Sequence, residues 1–166
     1  MPMPKPFIPA LIVNVLTGTP TRIEMLPEEF SESNNADLQN IDITGRSSPL
    51  IGYAGGGPKT VSINLPLHDD LCSLGIVQTV NNLKALTYPE YGGSIEPPKS
   101  YLRVGTFFKI FGACESCDVT WRKPYREDHV SGEMTYIYAE VSLSFTNVVE
   151  VPFSASSVQG GKDTDI

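Results

Sequence analysis

From Glu133 to Phe145 the chain alternates without a break. Ile137, Ala139, Val141, Leu143 and Phe145 fall on one side, and Tyr136, Tyr138, Glu140, Ser142 and Ser144 on the other. A period of two is the signature of a β-strand with one buried face, and a one-residue slip would turn every apolar group into water. Val61, Ile63, Leu65 and Leu67 repeat the pattern against Ser62 and Asn64. Two such strands commit the chain to a sheet with one covered face.

The remaining segments are read around those strands. Ala10 to Leu16 is β-branched, Thr17 to Pro20 is a turn signal, and Thr21 to Leu26 alternates again, which predicts a hairpin. Pro27 to Asn35 reads as polar loop, Asp37 to Arg46 as an alternating strand with Ile41 and Ile43 on one side, and Ser47 to Pro58 as loop around Gly55-Gly-Gly57. One helix is expected over about 70–87. Cys72, Ile76, Val80 and Leu83 share a face at about 100° per residue, Asp69 or Asp70 is the candidate cap, Gly75 weakens the helix, and Pro89 ends it. Tyr88 to Lys99 is a proline-containing loop. Tyr101 to Phe111 reads as one strand, with Leu102, Val104, Phe108 and Ile110 inward and Tyr101, Arg103, Phe107, Lys109 and Phe111 outward. Asp118 to Arg122 is a shorter strand, and Lys123 to Gly132 a charged loop.

The expected fold is mainly β: a small barrel or sandwich with one surface helix. Four prolines among the first nine residues predict an extended arm over 1–9. A single domain is expected over 10–153, with a flexible tail over 154–166.

Charge narrows the function. Twelve basic and 19 acidic residues give a net charge of −7, which disfavours a phosphate backbone or an anionic membrane as partner. No apolar run approaches a membrane helix, and the first residues make no convincing signal peptide. Charged residues are only 19% of the chain, against a typical figure of about 25%, so the surface is suited to being covered by partners.

No catalytic, cofactor-binding or metal-ligating set emerges with the required spacing. Cys114-Glu-Ser-Cys117 is the one reactive-looking motif; it is either two thiols in a β-turn, half of a zinc site, or a redox pair lacking its usual βαβ setting. His68-Asp69-Asp70 is either a cap or an acid–base or metal cluster. Gly55 to Thr60 lacks phosphate-loop spacing. The loop carrying Lys123, Arg126 and His129 is either a solvated tip or an electrostatic contact for a partner. Phe107, Phe111, Tyr136 and Tyr138 lie opposite the aliphatic set; they form either an interface or a local aromatic cluster. Trp121 with nearby tyrosines leaves a monomeric glycan-binding barrel open as an alternative, beside a thiol or metal protein using Cys114 and Cys117.

The order of features resembles one family. It runs Pro27-Glu-Glu-Phe30-Ser-Glu-Ser-Asn34, a strand ending Ile41-Asp-Ile-Thr-Gly45, Thr60-Val-Ser-Ile-Asn-Leu65 after a Gly-rich loop, a helix through Val80 to Leu86, the run Pro98 to Phe111, and the strand Met134 to Phe145. Over about residues 25–150 this is similar to the N-terminal domain of the baseplate tube-adaptor and tube-initiator proteins of contractile phage tails and related injection systems. The resemblance implies a tail-tube-like β-barrel whose copies pair sheets edge to edge in a six-fold ring, with the helix packed between neighbours. Its implied partners are further copies of itself and adjacent tail-tube and baseplate proteins, with DNA only in passage through an acidic lumen and no membrane. The implied place is the virion, after assembly in the host cytoplasm. Members of that family often carry a LysM domain; only thirteen residues follow Phe153, so none is expected here.

Overall fold

The structure is a computed structural model that describes residues 9–45, 47–89, 96–127 and 132–148. His129 and the segments 1–8 and 149–166, where most of the arm and all of the tail were expected, lie outside the described residues.

The chain is mainly β, with one α-helix. The strands are β1 (Ala10–Asn14), β2 (Pro20–Ile23), β3 (Glu29–Ser33), β4 (Ala36–Ile41), β5 (Leu50–Gly56), β6 (Thr60–His68), β7 (Lys99–Val104), β8 (Phe108–Glu127) and β9 (Met134–Asn147). Seven form one antiparallel sheet in the order β2-β1-β7-β8-β9-β6-β3, and β4 and β5 form a separate two-stranded ribbon.

The expected alternations hold where one face is covered. Val61, Ile63, Leu65 and Leu67 of β6 are buried, as are Ala139, Val141, Leu143 and Phe145 of β9 and Leu102, Val104, Phe108 and Ile110 of β7 and β8. Ile137, expected on the same face, is only half-buried near the start of β9. The predicted hairpin of residues 10–26 is β1 and β2, paired from Ala10 with Ile23 to Val13 with Pro20.

The sheet curls. The helix α1 (Ile76–Lys84) touches edge strand β2 and also β8 and β9, which stand well inside the sheet. Its face of Ile76, Thr79, Val80 and Leu83 recurs at helical spacing and is buried in the same core. The other edge folds inward too. Phe30 of β3 packs on Phe108 at the start of β8, with ring centroids 4.7 Å apart.

Several expectations need correction. The helix is shorter than 70–87: Asp69–Leu71 and Ala85–Thr87 are single 3-10 turns, and Cys72 precedes α1. Gly75 stands at the helix entrance with φ 80°, a left-handed conformation that suits glycine. Asp69, one of the two expected caps, does serve the helix, though from seven residues back: its Oδ1 accepts from the amide of Ile76 at 3.0 Å. Residues 27–35 and 47–58 are not simply loops, because they contain β3 and β5. Tyr101 to Phe111 is two strands with a turn over 105–107. The expected short strand 118–122 and the first half of the charged loop are parts of the 20-residue β8. Ile43, expected on a strand face with Ile41, lies beyond the end of β4.

Gly112 is fixed by a close approach. Where β9 joins β8, a Cβ at this position would lie 2.1 Å from the Thr146 carbonyl oxygen.

Candidate assembly surfaces

The β4–β5 ribbon is the most exposed apolar feature. Register pairs Leu38 with Tyr53, Asn40 with Ile51 and Ile41 with Leu50. Leu38, Ile51 and Tyr53 therefore share one face, while Ile41 and Leu50 share the other. Ile51 is 67% exposed and Tyr53 69%, and none of these side chains belongs to the core.

The sheet has two open edges among the described residues. β2 pairs only with β1, and β3 only with β6. An unpaired edge presents free N–H and C=O groups, a template for another strand.

Strands β8 and β9 run on together past the ends of β7 and β6, carrying Lys123 and Arg126 toward a tip. There Tyr136 lies between Trp121 and Tyr125, with centroids 6.2 and 6.5 Å away. Tyr136 thus takes part in an aromatic cluster inside the subunit. Arg126 bridges Asp69 and Asp70 at 3.3 Å each, tying the tip to the turn before α1. These pairs are exposed, so each contributes little to stability. Lys123 is exposed on the same strand.

Tyr138 is half-buried opposite Arg122, on the face away from the core. Its hydroxyl lies 3.4 Å from Glu140, which also pairs with Arg122 at 2.8 Å. Partial burial, then the negative charges of Glu28 and Glu140, raise the phenol's pKa, with Arg122 opposing.

Phe107 and Phe111 do not sit on one strand face as expected. Phe107 is in the turn, 69% exposed, and meets Phe30 edge to face at 6.0 Å. Phe111 is half-buried on the outer face of β8, directly across from Tyr101 of β7. The structure gathers Tyr136 and Tyr138 at one end of the β8–β9 ribbon, while Phe107 and Phe111 lie near the start of β8.

The register of the outer sheet surface, which sequence reading missed, is strongly patterned. Across β2, β1, β7 and β8 run the rows Arg22–Leu11–Arg103–Lys109 and Pro20–Val13–Tyr101–Phe111. Across β3, β6, β9 and β8 run Ser31–Ser62–Ser144–Ser116 and Glu29–Asn64–Ser142–Asp118. The second pair of rows lines a trough of about 330 Å³. The alternation placed each residue on a face, but only the register aligns them across four strands.

The motif Cys114-Glu-Ser-Cys117 lies within β8, interrupted by a register shift between Cys114 and Ser116. Burial pushes the Cys114 thiol up to about 12, the nearby Cys117 adding to the effect, and burial also raises Cys117 and Cys72. A protonated thiol is neither the nucleophile nor the metal-ligating form. Among the described residues no three His, Cys, Asp or Glu side chains gather to hold a metal ion. His68 Nδ1 accepts from the amide of Asp70, so this motif caps a 3-10 turn. Trp121 is packed against the core rather than displayed as a binding platform.

No protein-family profile matches the chain, and no curated protein does. Among solved structures it is similar to a chain from the tail of an empty gene transfer agent particle refined with C6 symmetry, at 16% identity and a TM-score of 0.43, over 92% of this chain and 100% of that one. It is also similar to a chain from the virion of a native gene transfer agent particle, at 15% identity and a TM-score of 0.43, with the same coverage.

Proposed function

We propose that the chain is a structural subunit of a contractile phage or phage-like tail, forming a six-fold ring at the junction of tube and baseplate. Copies join through the open edges β2 and β3. Phe107, Phe111, Tyr136, Tyr138, Lys123, Arg126 and His129 contribute to contacts with neighbours in the ring or with adjacent tube and baseplate proteins. The tail assignment rests on the sequence resemblance.

The observation that carries an assembly role is the β4–β5 ribbon. An isolated two-stranded ribbon is marginal in water. This one exposes Leu38, Ile51 and Tyr53 on one side and Ile41 and Leu50 on the other. A partner that covers both faces removes that apolar area from water and holds the ribbon in place.

The test replaces Leu38, Ile51 and Tyr53 with serine together. The body should melt as wild type, because these side chains lie outside its core. Light scattering and negative-stain images of wild type should show rings or short tubes with a central hole, and the variant should lose them. A wild-type chain that forms no ring, alone or with its neighbouring tube proteins, would sink the reading.

A further inference from the structure

We propose that the β4–β5 ribbon of one copy lies on the apolar surface beside β2 of the next copy, formed by Leu26, Leu71, Leu74 and Val77. The ribbon thereby clamps the neighbour that its own β3 edge meets. The contact rests on the edge pairing proposed above and names what covers the ribbon.

The ribbon continues one edge of the sheet. β3, β4, β5 and β6 make a single long hairpin: two residues separate β3 from β4, and three separate β5 from β6. The joint is tied. The Gly57 amide donates to the Asn35 carbonyl at 2.7 Å, and a Cβ at Gly57 would lie 3.2 Å from the Cβ of Asn35. Lys59, beside the joint, pairs with Glu32 of β3 at 3.0 Å and lies over the Phe108 ring. β4 follows β3 along the same side of the hairpin, so a copy docked on β3 has the ribbon beside it.

The opposite edge has an apolar flank of its own. Leu26 follows β2 by three residues and is 62% exposed. The helix α1 touches β2; it turns Ile76, Val80 and Leu83 to the core and Val77 to solvent. Leu71 and Leu74, in the turns before the helix, are exposed as well. These turns stand near the end of β2. Burial raises the Cys72 thiol's pKa, Thr79 opposes the rise, and the charges of Asp69 and Glu24 add to it. Ribbon and flank belong to opposite edges of one sheet and both are exposed, so neither covers the other within its own chain.

Size argues that the two patches share one contact. β2 has four residues and β3 five. A stable interface takes about 20–30 residues a side, or about 800 Å² from each partner. Edge pairing alone falls far short of that. β4 adds six residues and β5 seven on one side, and the flank of β2 adds its apolar side chains on the other. Joining them removes from water apolar area that the strand edges leave exposed. Because the two sides differ, the contact is head to tail, the geometry that closes rings.

The experiment places one cysteine on each side of the contact, Ile51→Cys on the ribbon and Leu74→Cys on the flank. The full chain also carries Cys72→Ala, because Cys72 lies two residues from Leu74. A short bismaleimide links thiols held close together, while negative-stain images and circular dichroism of the same samples report rings and folding. The double variant should give a ladder of covalent species up to six chains. An equimolar mixture of the two single variants should give linked dimers at least tenfold above either variant alone, which also measures the background from Cys114 and Cys117. Val77→Cys replaces a Leu74→Cys chain that fails to fold. Rings that form without the link between positions 51 and 74 would overturn this contact and leave the ring reading standing. Linked species without rings would support the contact and count against the ring. Neither rings nor links would overturn both.

Discussion

Phe30 on edge strand β3 meets Phe108, the first residue of β8, with ring centroids 4.7 Å apart and planes at 65°. The pair joins an edge strand to one three places away in the sheet. Phe30 pairs in register with Ile63, which places it on the core side. Lys59 lies over the other partner, 5.3 Å from the Phe108 centroid. Phe30→Ala should therefore open the curl. Full removal of a buried phenylalanine costs about 3–5 kcal/mol, and half-burial brings this nearer 2 kcal/mol. Urea unfolding of the monomer measures it; a loss under about 0.5 kcal/mol would mean the sheet closes without this contact.

Gly112→Ala should be the most damaging single-methyl change. Its Cβ would lie 2.1 Å from a backbone oxygen of Thr146, which cannot move without breaking the β8–β9 register. Overpacking costs about 3 kcal/mol or more where the neighbour is backbone. Gly18→Ala meets nothing within 4 Å and serves as the control, costing only the strain of its φ of 66°.

Asp69→Ala removes the cap on the Ile76 amide and the bridge to Arg126 together. A lost cap costs about 1 kcal/mol. Asp69→Asn keeps an acceptor and drops the charge, so it should recover most of that loss in thermal melts. Equal losses in both variants would assign the effect to the ion pair instead.

The buried thiol of Cys114 sets an alkaline limit. Its pKa rises from 9.0 in the unfolded chain to about 12 when folded. The unfolded state therefore releases the proton first as pH climbs. The stability held below pH 9 should fall between pH 9 and 12, by roughly 1.4 kcal/mol per unit for this one group. Cys114→Ala should flatten that slope in urea titrations run from pH 8 to 11. An unchanged slope would place its origin elsewhere.

Tyr138→Asp should block assembly and leave the monomer folded. The side chain is half-buried on the outer face beside Glu140. A carboxylate there adds like charge to a surface that is proposed to be covered. Tyr138→Phe should assemble normally. Light scattering and a melting curve on the same samples separate the outcomes, and an unfolded Tyr138→Asp monomer would put the ring's role in the core.

The legible parts of the fold were those where burial imposes a period. β6 and β9 alternate because one face packs on the core and the other does not. The turn between β7 and β8 was hidden for a counting reason. Its three residues separate Val104 and Phe108 by an even number, so both point inward and the alternation runs through it unbroken. β5, which reads as a Gly-rich loop, lacks an alternating signal because both of its faces meet solvent. The end of β8 has the same character: Arg122 to Glu127 is exposed throughout, and it reads as a charged loop. The outer-face rows were out of reach for another reason. They depend on long-range pairing, such as Glu29 with Asn64 and Asn64 with Ser142, which no local pattern encodes.

The β4–β5 ribbon contributes no side chain to the core of its own chain. Substitutions there are invisible to the stability of the body and visible only to whatever the ribbon touches. Its sequence is thus free to drift in step with a changing neighbour while Gly112, Phe108 and the β6–β9 core stay fixed. Specificity can be rewritten on this arm without renegotiating the fold.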